Sequence, residues 1–528
     1  MNWRRLIIVT VLLLSAQPLT AQTLSPQAPS ATSELAIGGD PSVDPSAQTL
    51  VAENAALRSQ LGELAVEQEL MRLQLEELQS QFAGAAALPT LSPQIEGSQS
   101  DIESLEPALS AESEYWCPPE EAKGLGTLYD NIEHYQDGIV IWQAPADASV
   151  PLLMKFNLNT QVRYLNTTLC DDTFTDHLGQ VREVQKRNDI TVNRTMFILG
   201  GYIFDDRLRY SSTVWTAAGA ASIVVAGNIG WQFNEGLTLT GGYTGVPGSR
   251  SLVNTFPFWT AMDRTMADNF FRPGFTQGVW ANGEPVKGLN YLAFVGNGIN
   301  TLNISANKID ADLMLSGSVW WEPLGDYGGT GKSRNMYDDY FASEKTRIRL
   351  GTSFTRSRED RFSNLDQTTP DNTGLYNSDG ILTFSTGAFA PGVTVEKATY
   401  EMWAIDGGIK RNGLAINGQY FFRRIDDFIA DGPLPVDVTY DNGFELSVSY
   451  FVTPKKLAIY GRGSRVFGQF GDSWEYAGGA KCYPVPSERM WVAAELMRVE
   501  KSPYSGAFTP YTAGLTGWVP MVQAILAF

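Results

Sequence analysis

The sequence predicts an all-β fold: a closed antiparallel β-barrel of about 16 strands that spans a membrane, preceded by an N-terminal α-helical coiled coil. Three observations carry this. From residue 150 onward the chain falls into segments of about ten residues that alternate apolar and polar side chains, the period of a strand with two different faces. The joints between segments are short on one side and long on the other. The chain ends in MVQAILAF, an apolar strand-like run with a terminal aromatic, where a soluble chain ends in a polar tail. In a closed barrel the last strand pairs with the first, so such a strand leaves no open edge.

The N-terminus reads MNWRRLIIVTVLLLSAQPLTA. Two arginines precede an apolar run over 6–14, and Ala21 ends a small-residue cleavage site, so residues 1–21 are expected to be a signal peptide. The run is shorter than the roughly 18 apolar residues a membrane helix needs. The chain is therefore expected to be exported.

Charged residues make up 18% of the chain and glycine is frequent, with 50 residues. The net charge of −19 is unevenly placed. Residues 22–149 hold 21 Asp+Glu and 3 Lys+Arg, a net of −18, which leaves 37 acids and 34 bases over 150–528. No basic face exists to bind nucleic acid. The cysteines are Cys117, Cys170 and Cys482. An odd count does not read as a disulfide framework, and the strand assignment below puts Cys170 and Cys482 at opposite ends of the barrel.

Residues 22–47 are rich in Ser, Pro, Ala, Thr and Gln and read as a disordered leader. Residues 48–82 carry heptads. Leu50, Leu57, Leu64, Met71 and Leu78 fill d; Asn54, Leu61, Gln68, Leu75 and Phe82 fill a. Eight of these ten positions are apolar, and Glu53/Arg58 and Glu67/Arg72 have the opposite signs that interhelical bridges require. Asn54 and Gln68 would fix register at a cost in stability. Residues 83–149 return to Pro, Ser and acids and read as an acidic linker.

The barrel, 150–528, is expected to use strands near 152–166, 189–204, 207–217, 220–233, 236–246, 275–284, 288–297, 308–322, 344–357, 397–410, 413–424, 441–453, 456–467, 473–483, 488–500 and 516–528. Phe444, Leu446, Val448, Tyr450 and Val452 form one face of their strand; Glu445, Ser447 and Ser449 form the other. Tight turns fall at Asp205-Asp206, Asn234-Glu235, Arg411-Asn412 and Pro454-Lys455, whereas 167–188, 247–274, 358–396, 425–440 and 501–515 are long. Short turns at one rim and long loops at the other are the layout of outer-membrane barrels. The joint at 323–343 is anomalous, because it is long where a short turn belongs.

RTMFILGGYIFDDRLRYS, GLTLTGGYTGVPGSRS and MDRTMADNFFRPGFTQGVWANGEPVKGLNYLAFVGNG, between Arg194 and Gly298, resemble the phosphate-selective porin O and P family, and the closing strand fits it. That resemblance implies a trimeric barrel in outer-membrane lipid, whose third outer loop folds inward to narrow the pore. Some relatives carry a periplasmic coiled coil, which suits residues 48–82. The expected function is passive diffusion of small hydrophilic solutes with a weak anion preference.

The loop in question is 247–274, and its expected constriction residues are Arg250, Asp263, Arg264 and Arg272. Its aromatic residues Phe256, Phe258, Trp259, Phe270 and Phe271 suit an inner wall better than water. Expected pore-lining cations are Lys155, Arg163, Arg207, Arg209, Arg347, Arg349, Arg423 and Lys481. Asp312, Glu322, Glu401, Glu445, Glu475 and Glu495 also read as inward, so the wall is mixed rather than purely basic.

The competing reading is a structural envelope tether, with the coiled coil touching peptidoglycan and the barrel as anchor only. No catalytic residue, metal site or cofactor is expected, since the two histidines, His134 and His177, lie off the strands. Deleting residues 48–82 is expected to loosen a homotrimer yet leave the barrel folded; native mass spectrometry of the full mature chain and the deletion tests this.

Overall fold

The computed structural model describes residues 135–217, 222–253, 255–301, 311–329, 331–362 and 374–528. The signal peptide, the leader and the coiled coil lie outside them. The strands are β1 (Ile139–Gln143), β2 (Leu152–Asn166), β3 (Thr173–Thr175), β4 (Val181–Glu183), β5 (Asn188–Ile203), β6 (Asp205–Ala217), β7 (Ser222–Asn234), β8 (Leu237–Gly245) and β9 (Phe275–Val286). They continue as β10 (Leu289–Gly296), β11 (Met314–Trp321), β12 (Arg347–Asp360), β13 (Val395–Arg411), β14 (Leu414–Ala430), β15 (Val438–Thr453), β16 (Leu457–Phe467), β17 (Ser473–Cys482), β18 (Met490–Glu500) and β19 (Gly517–Ala527).

β2 and β5 to β19 form a closed antiparallel barrel of sixteen strands, each paired with the next. β19 closes it on β2, from Met521↔Leu165 to Ala527↔Asn159. Phe528 completes the seam by exchanging backbone hydrogen bonds of 2.9 and 3.1 Å with Leu158. Below that point β1 takes over the free edge of β2, with Ile139 opposite Phe156 and Gln143 opposite Leu153. β3 and β4 form a small hairpin within the first long loop.

The outer surface follows the sequence alternation. Phe444, Leu446, Val448, Tyr450 and Val452 are exposed while Ser449 is buried. On β19, Val522 and Leu526 point out, and Met521, Gln523 and Ile525 point in. The apolar inward pair Met521 and Ile525, which spoils the alternation, belongs to the buried core that the infolded loops make with the wall. An apolar exterior on a closed barrel satisfies every backbone group and suits a bilayer. Glu401 is a correction: it shares the outer face with Trp403 and Ile405, and it sits between Arg356 and Arg424 at 3.3 Å from each.

The rims also differ as expected. At the short-turn rim Asn412 (φ 49°) and Gly413 (φ 82°) supply the two left-handed positions of a type I′ hairpin. Cys170 lies beside Gly517 at the long-loop rim, Cys482 lies at the other, and both are free. The anomalous joint, 322–346, begins at the short-turn rim, where Glu322 N–H donates to Gly288 O at 2.8 Å. It does not hang outside; it folds up into the barrel.

Gly201 fixes the approach of β5 to β2. Its φ is 154°, and a Cβ there would come within 1.8 Å of Leu153 O. Gly201→Ala must therefore push the two strands apart, with an expected loss above ~2 kcal/mol. Heat-modifiability on gels and urea unfolding in detergent test this.

Candidate pore constriction

The long loop between β8 and β9 (246–274) turns into the lumen and ends in a short helix, α1 (Met266–Phe271). Thr265 caps the helix by accepting from Asp268 N–H. The barrel wall supplies the other caps: Glu475 Oε1 accepts from Met266 N–H at 2.7 Å and Ser464 Oγ from Ala267 N–H at 3.2 Å. A carboxylate suits the positive end of a helix. The aromatics pack on the wall as their content implies. Phe258, Trp259, Phe270 and Phe271 are buried, and Phe271 stacks on Phe421 at 5.1 Å.

Wall cations then reach into the loop. Arg163 pairs with Asp263 at 2.5 Å and also donates to Gln523 Oε1 and to Phe508 O in another outer loop. Arg423 pairs with Asp441 at 2.7 Å, donates to Phe270 O at 3.2 Å, and lies over the Phe270 ring at 3.9 Å. Lys481 donates to Trp259 O at 2.5 Å and pairs with Asp338 at 3.2 Å. Arg349 pairs with Asp406 at 3.0 Å beneath Trp320. These four cations are buried, and three of the four hold loop segments.

The remaining expected wall cations sit nearer the short-turn rim. Lys155 Nζ donates to Gln136 O at 3.0 Å. Arg347 donates to Leu324 O at 2.5 Å. Arg207 is exposed, pairs with Asp205 at 2.7 Å, and lies over Trp231. Arg209 is exposed opposite Tyr202.

Within the loop, Arg250 is buried over Tyr337 at 4.0 Å and Tyr327 at 5.2 Å. Arg264 lies over Trp259 at 4.3 Å, donates to Ser251 Oγ at 3.0 Å, and stands 3.6 Å from Asp268. Arg272 is buried behind α1, within 3.4 Å of Asn269 Oδ1 and Pro273 O.

The infolded joint 322–346 meets this loop from the other rim. Tyr337 N–H donates to Phe258 O at 2.9 Å, and Asn335 Nδ2 donates to Val253 O at 2.9 Å. Lys410 anchors the joint by donating to Tyr327 O at 3.0 Å and Met336 O at 2.7 Å. Asp338 accepts from Ser449 and Asp339 from Gly413 N–H. Reading the sequence by period overlooked Lys410, Asp338 and this joint. The signal was present in its Tyr327, Tyr337, Tyr340 and Phe341, the same aromatic excess that marks the other infolded loop.

Most anchoring contacts of the infolded segments run to β12 to β19, joined by Arg163 of β2, Arg194 of β5 and Glu284 of β9, and among the described residues a space remains beside β2, β5, β8 and β9. A cavity of ≈ 500 Å³ runs there, lined by Asn159, Met196, Ile198, Thr244, Phe275 and, on the loop side, Arg264. A second cavity of ≈ 590 Å³ opens at the short-turn rim beside Arg347 and Arg489. Asp137 and Gly331 line both.

No family model matches the chain, and no curated relative matches it. Solved structures do. A loop L8 deletion mutant of OmpT, an outer membrane protein of Vibrio cholerae, is 13% identical with a TM-score of 0.42, covering 72% of this chain and 100% of that one. An anion-selective porin from Comamonas acidovorans is 11% identical with a TM-score of 0.42, covering 71% and 99%. The outer membrane channel DcaP of Acinetobacter baumannii is 8% identical with a TM-score of 0.39, covering 73% and 99%.

The Arg163–Asp263 pair offers a direct test of how the loop is held. Arg163→Leu leaves Asp263 buried without its cation and is expected to cost about 3–5 kcal/mol. Arg163→Leu with Asp263→Leu removes both charges and is expected to recover most of that. A double-mutant cycle of urea unfolding, with limited proteolysis of the loop as second readout, checks both.

Proposed function

We propose that the protein is an outer-membrane diffusion pore for small hydrophilic solutes, narrowed by the 246–274 loop, with a weak preference for anions. The observation that carries this is a cavity along β2, β5, β8 and β9 that meets a second cavity, at the short-turn rim beside Arg347 and Arg489, where Asp137 and Gly331 line both. A sixteen-stranded barrel leaves an aqueous interior, and the clamped loops leave a space in it beside β2, β5, β8 and β9. Solute passes along that space, by Arg264 and then by Asp137 and Gly331, towards the short-turn mouth.

The charge of the path supports a weak preference rather than a dedicated phosphate channel. Most interior cations are committed to carboxylates or loop carbonyls; Arg209 and Lys155 stand nearest water, and the buried Arg264 lines the inner cavity. The loop itself carries Arg250, Arg264 and Arg272 against Asp263 and Asp268, a net of +1. At a low-dielectric narrowing one charge counts for more than on an open surface. Membership of the phosphate-selective porin O and P family, trimeric assembly and a periplasmic stalk at residues 48–82 belong to the same proposal and rest on the sequence resemblance.

Planar-bilayer recording tests it. Arg264→Glu changes the loop from +1 to −1 and is expected to shift reversal potentials towards cations. Deleting residues 252–268 is expected to raise single-channel conductance. Unchanged conductance with an intact barrel would place the constriction elsewhere, and absence of any channel would favour the anchor-only tether.

A further inference from the structure

Residues 135–138 lie inside the mouth of the barrel that follows them. Tyr135 and Ile139 form an isolated bridge, and the tip between them turns through left-handed Asp137 (φ 54°) and Gly138 (φ 144°). The tip faces the lumen, because its partners are inward. Asn157, buried on the inner face of β2, donates to Asp137 O at 2.9 Å, and Lys155 donates to Gln136 O. Arg489, in the turn between β17 and β18, grips the tip twice: Nη2 donates to Asp137 Oδ1 at 2.5 Å and Nη1 to Tyr135 Oη at 2.6 Å.

The surroundings are shaped for this tip. A Cβ on Gly138 would sit 2.5 Å from Asn157 Nδ2, and a Cβ on Gly331 would sit 3.1 Å from the Asp137 carboxylate. Asp137 and Gly331 are the residues common to the two cavities, so their contact lies where one passes into the other. β1 is fixed along β2 by its ladder. The tip beyond Gly138 is held by hydrogen bonds, one ion pair and the Arg489 guanidinium over the Tyr135 ring at 5.7 Å, and the Asp137 side chain is 30% exposed. The partly exposed carboxylate leaves this polar contact open to salt, and a glycine at its base permits a change of φ that other residues resist.

We propose that the Tyr135–Gly138 tip is a tethered plug that gates the pore. Seated on Arg489 and against Gly331, it closes the passage between the inner cavity and the mouth. Withdrawn about Gly138, it joins them. The device rests on the pore reading above.

The test is a reversible lock in the full-length mature protein. Asp137→Cys with Gly331→Cys, in a background where Cys117, Cys170 and Cys482 are replaced by Ser, places two thiols where the carboxylate and glycine now meet. Single-channel conductance is recorded after oxidation and again after reduction of the same preparation, so folding is controlled within one variant. Oxidation is expected to lower conductance and reduction to restore it. Arg489→Gln and Asp137→Ala, which free the tip without a lock, are expected to roughly double mean conductance and to weaken its salt dependence. Equal conductance of the locked and reduced forms, with the bond verified by mass spectrometry, overturns the gate while leaving the pore intact. Absence of channels from every form refutes the pore and the gate together.

Discussion

The interior depends on one constraint: a loop drawn into a barrel must find partners for its backbone carbonyls and its charged side chains away from bulk water. An unpaired buried polar group costs on the order of 1–3 kcal/mol. Here long cations on the wall meet that need. Arg423 takes Phe270 O, Lys481 takes Trp259 O, Lys410 takes Tyr327 O and Met336 O, and Arg163 takes Asp263 and Phe508 O. Each sits on a strand at an inward position and reaches across to a segment that has no strand of its own to pair with. The same residues that a count of wall charges assigns to solvent are the fasteners of the infolded segments.

This changes what charge means inside the barrel. A cation that already holds a carboxylate and a carbonyl offers little to a passing ion, whereas one with an open side does. Arg462 illustrates the first kind, bridging Glu475 at 3.0 Å and Glu495 at 2.7 Å. Arg209 on β6 illustrates the second. The balanced totals of the barrel sequence conceal this division, because pairing depends on which strand faces which loop.

The strands were legible because both faces of each carry a signal: lipid selects apolar side chains outward and the lumen selects polar ones inward. Every expected strand has its counterpart, and ends differ by a few residues, as where β14 runs on to Ala430. The infolding of 246–274 was legible from its aromatics. The infolding of 322–346 was not, because the rule that short turns mark one rim treats a long joint there as an exception and says nothing of where it goes. Glu401 was misplaced because its strand has polar residues on both faces near the long-loop rim. The pairing of Asp137 with Arg489 spans most of the barrel sequence, and no local pattern signals a contact of that range. Residues 48–82, the clearest helical pattern, lie outside the described residues.

The hydrogen bond from Tyr337 N–H to Phe258 O ties the two infolded segments to each other inside the barrel. One comes over the long-loop rim and the other over the short-turn rim, so they meet from the two ends of the barrel. Arg163 and Gln523, which grip the first of them, sit on β2 and β19, the two sides of the seam. The residues that close the hoop are thus also residues that hold its contents. The seam strands are anchors for the cargo as well as edges to be joined, so a change at the seam is felt in the loop as well as in the wall.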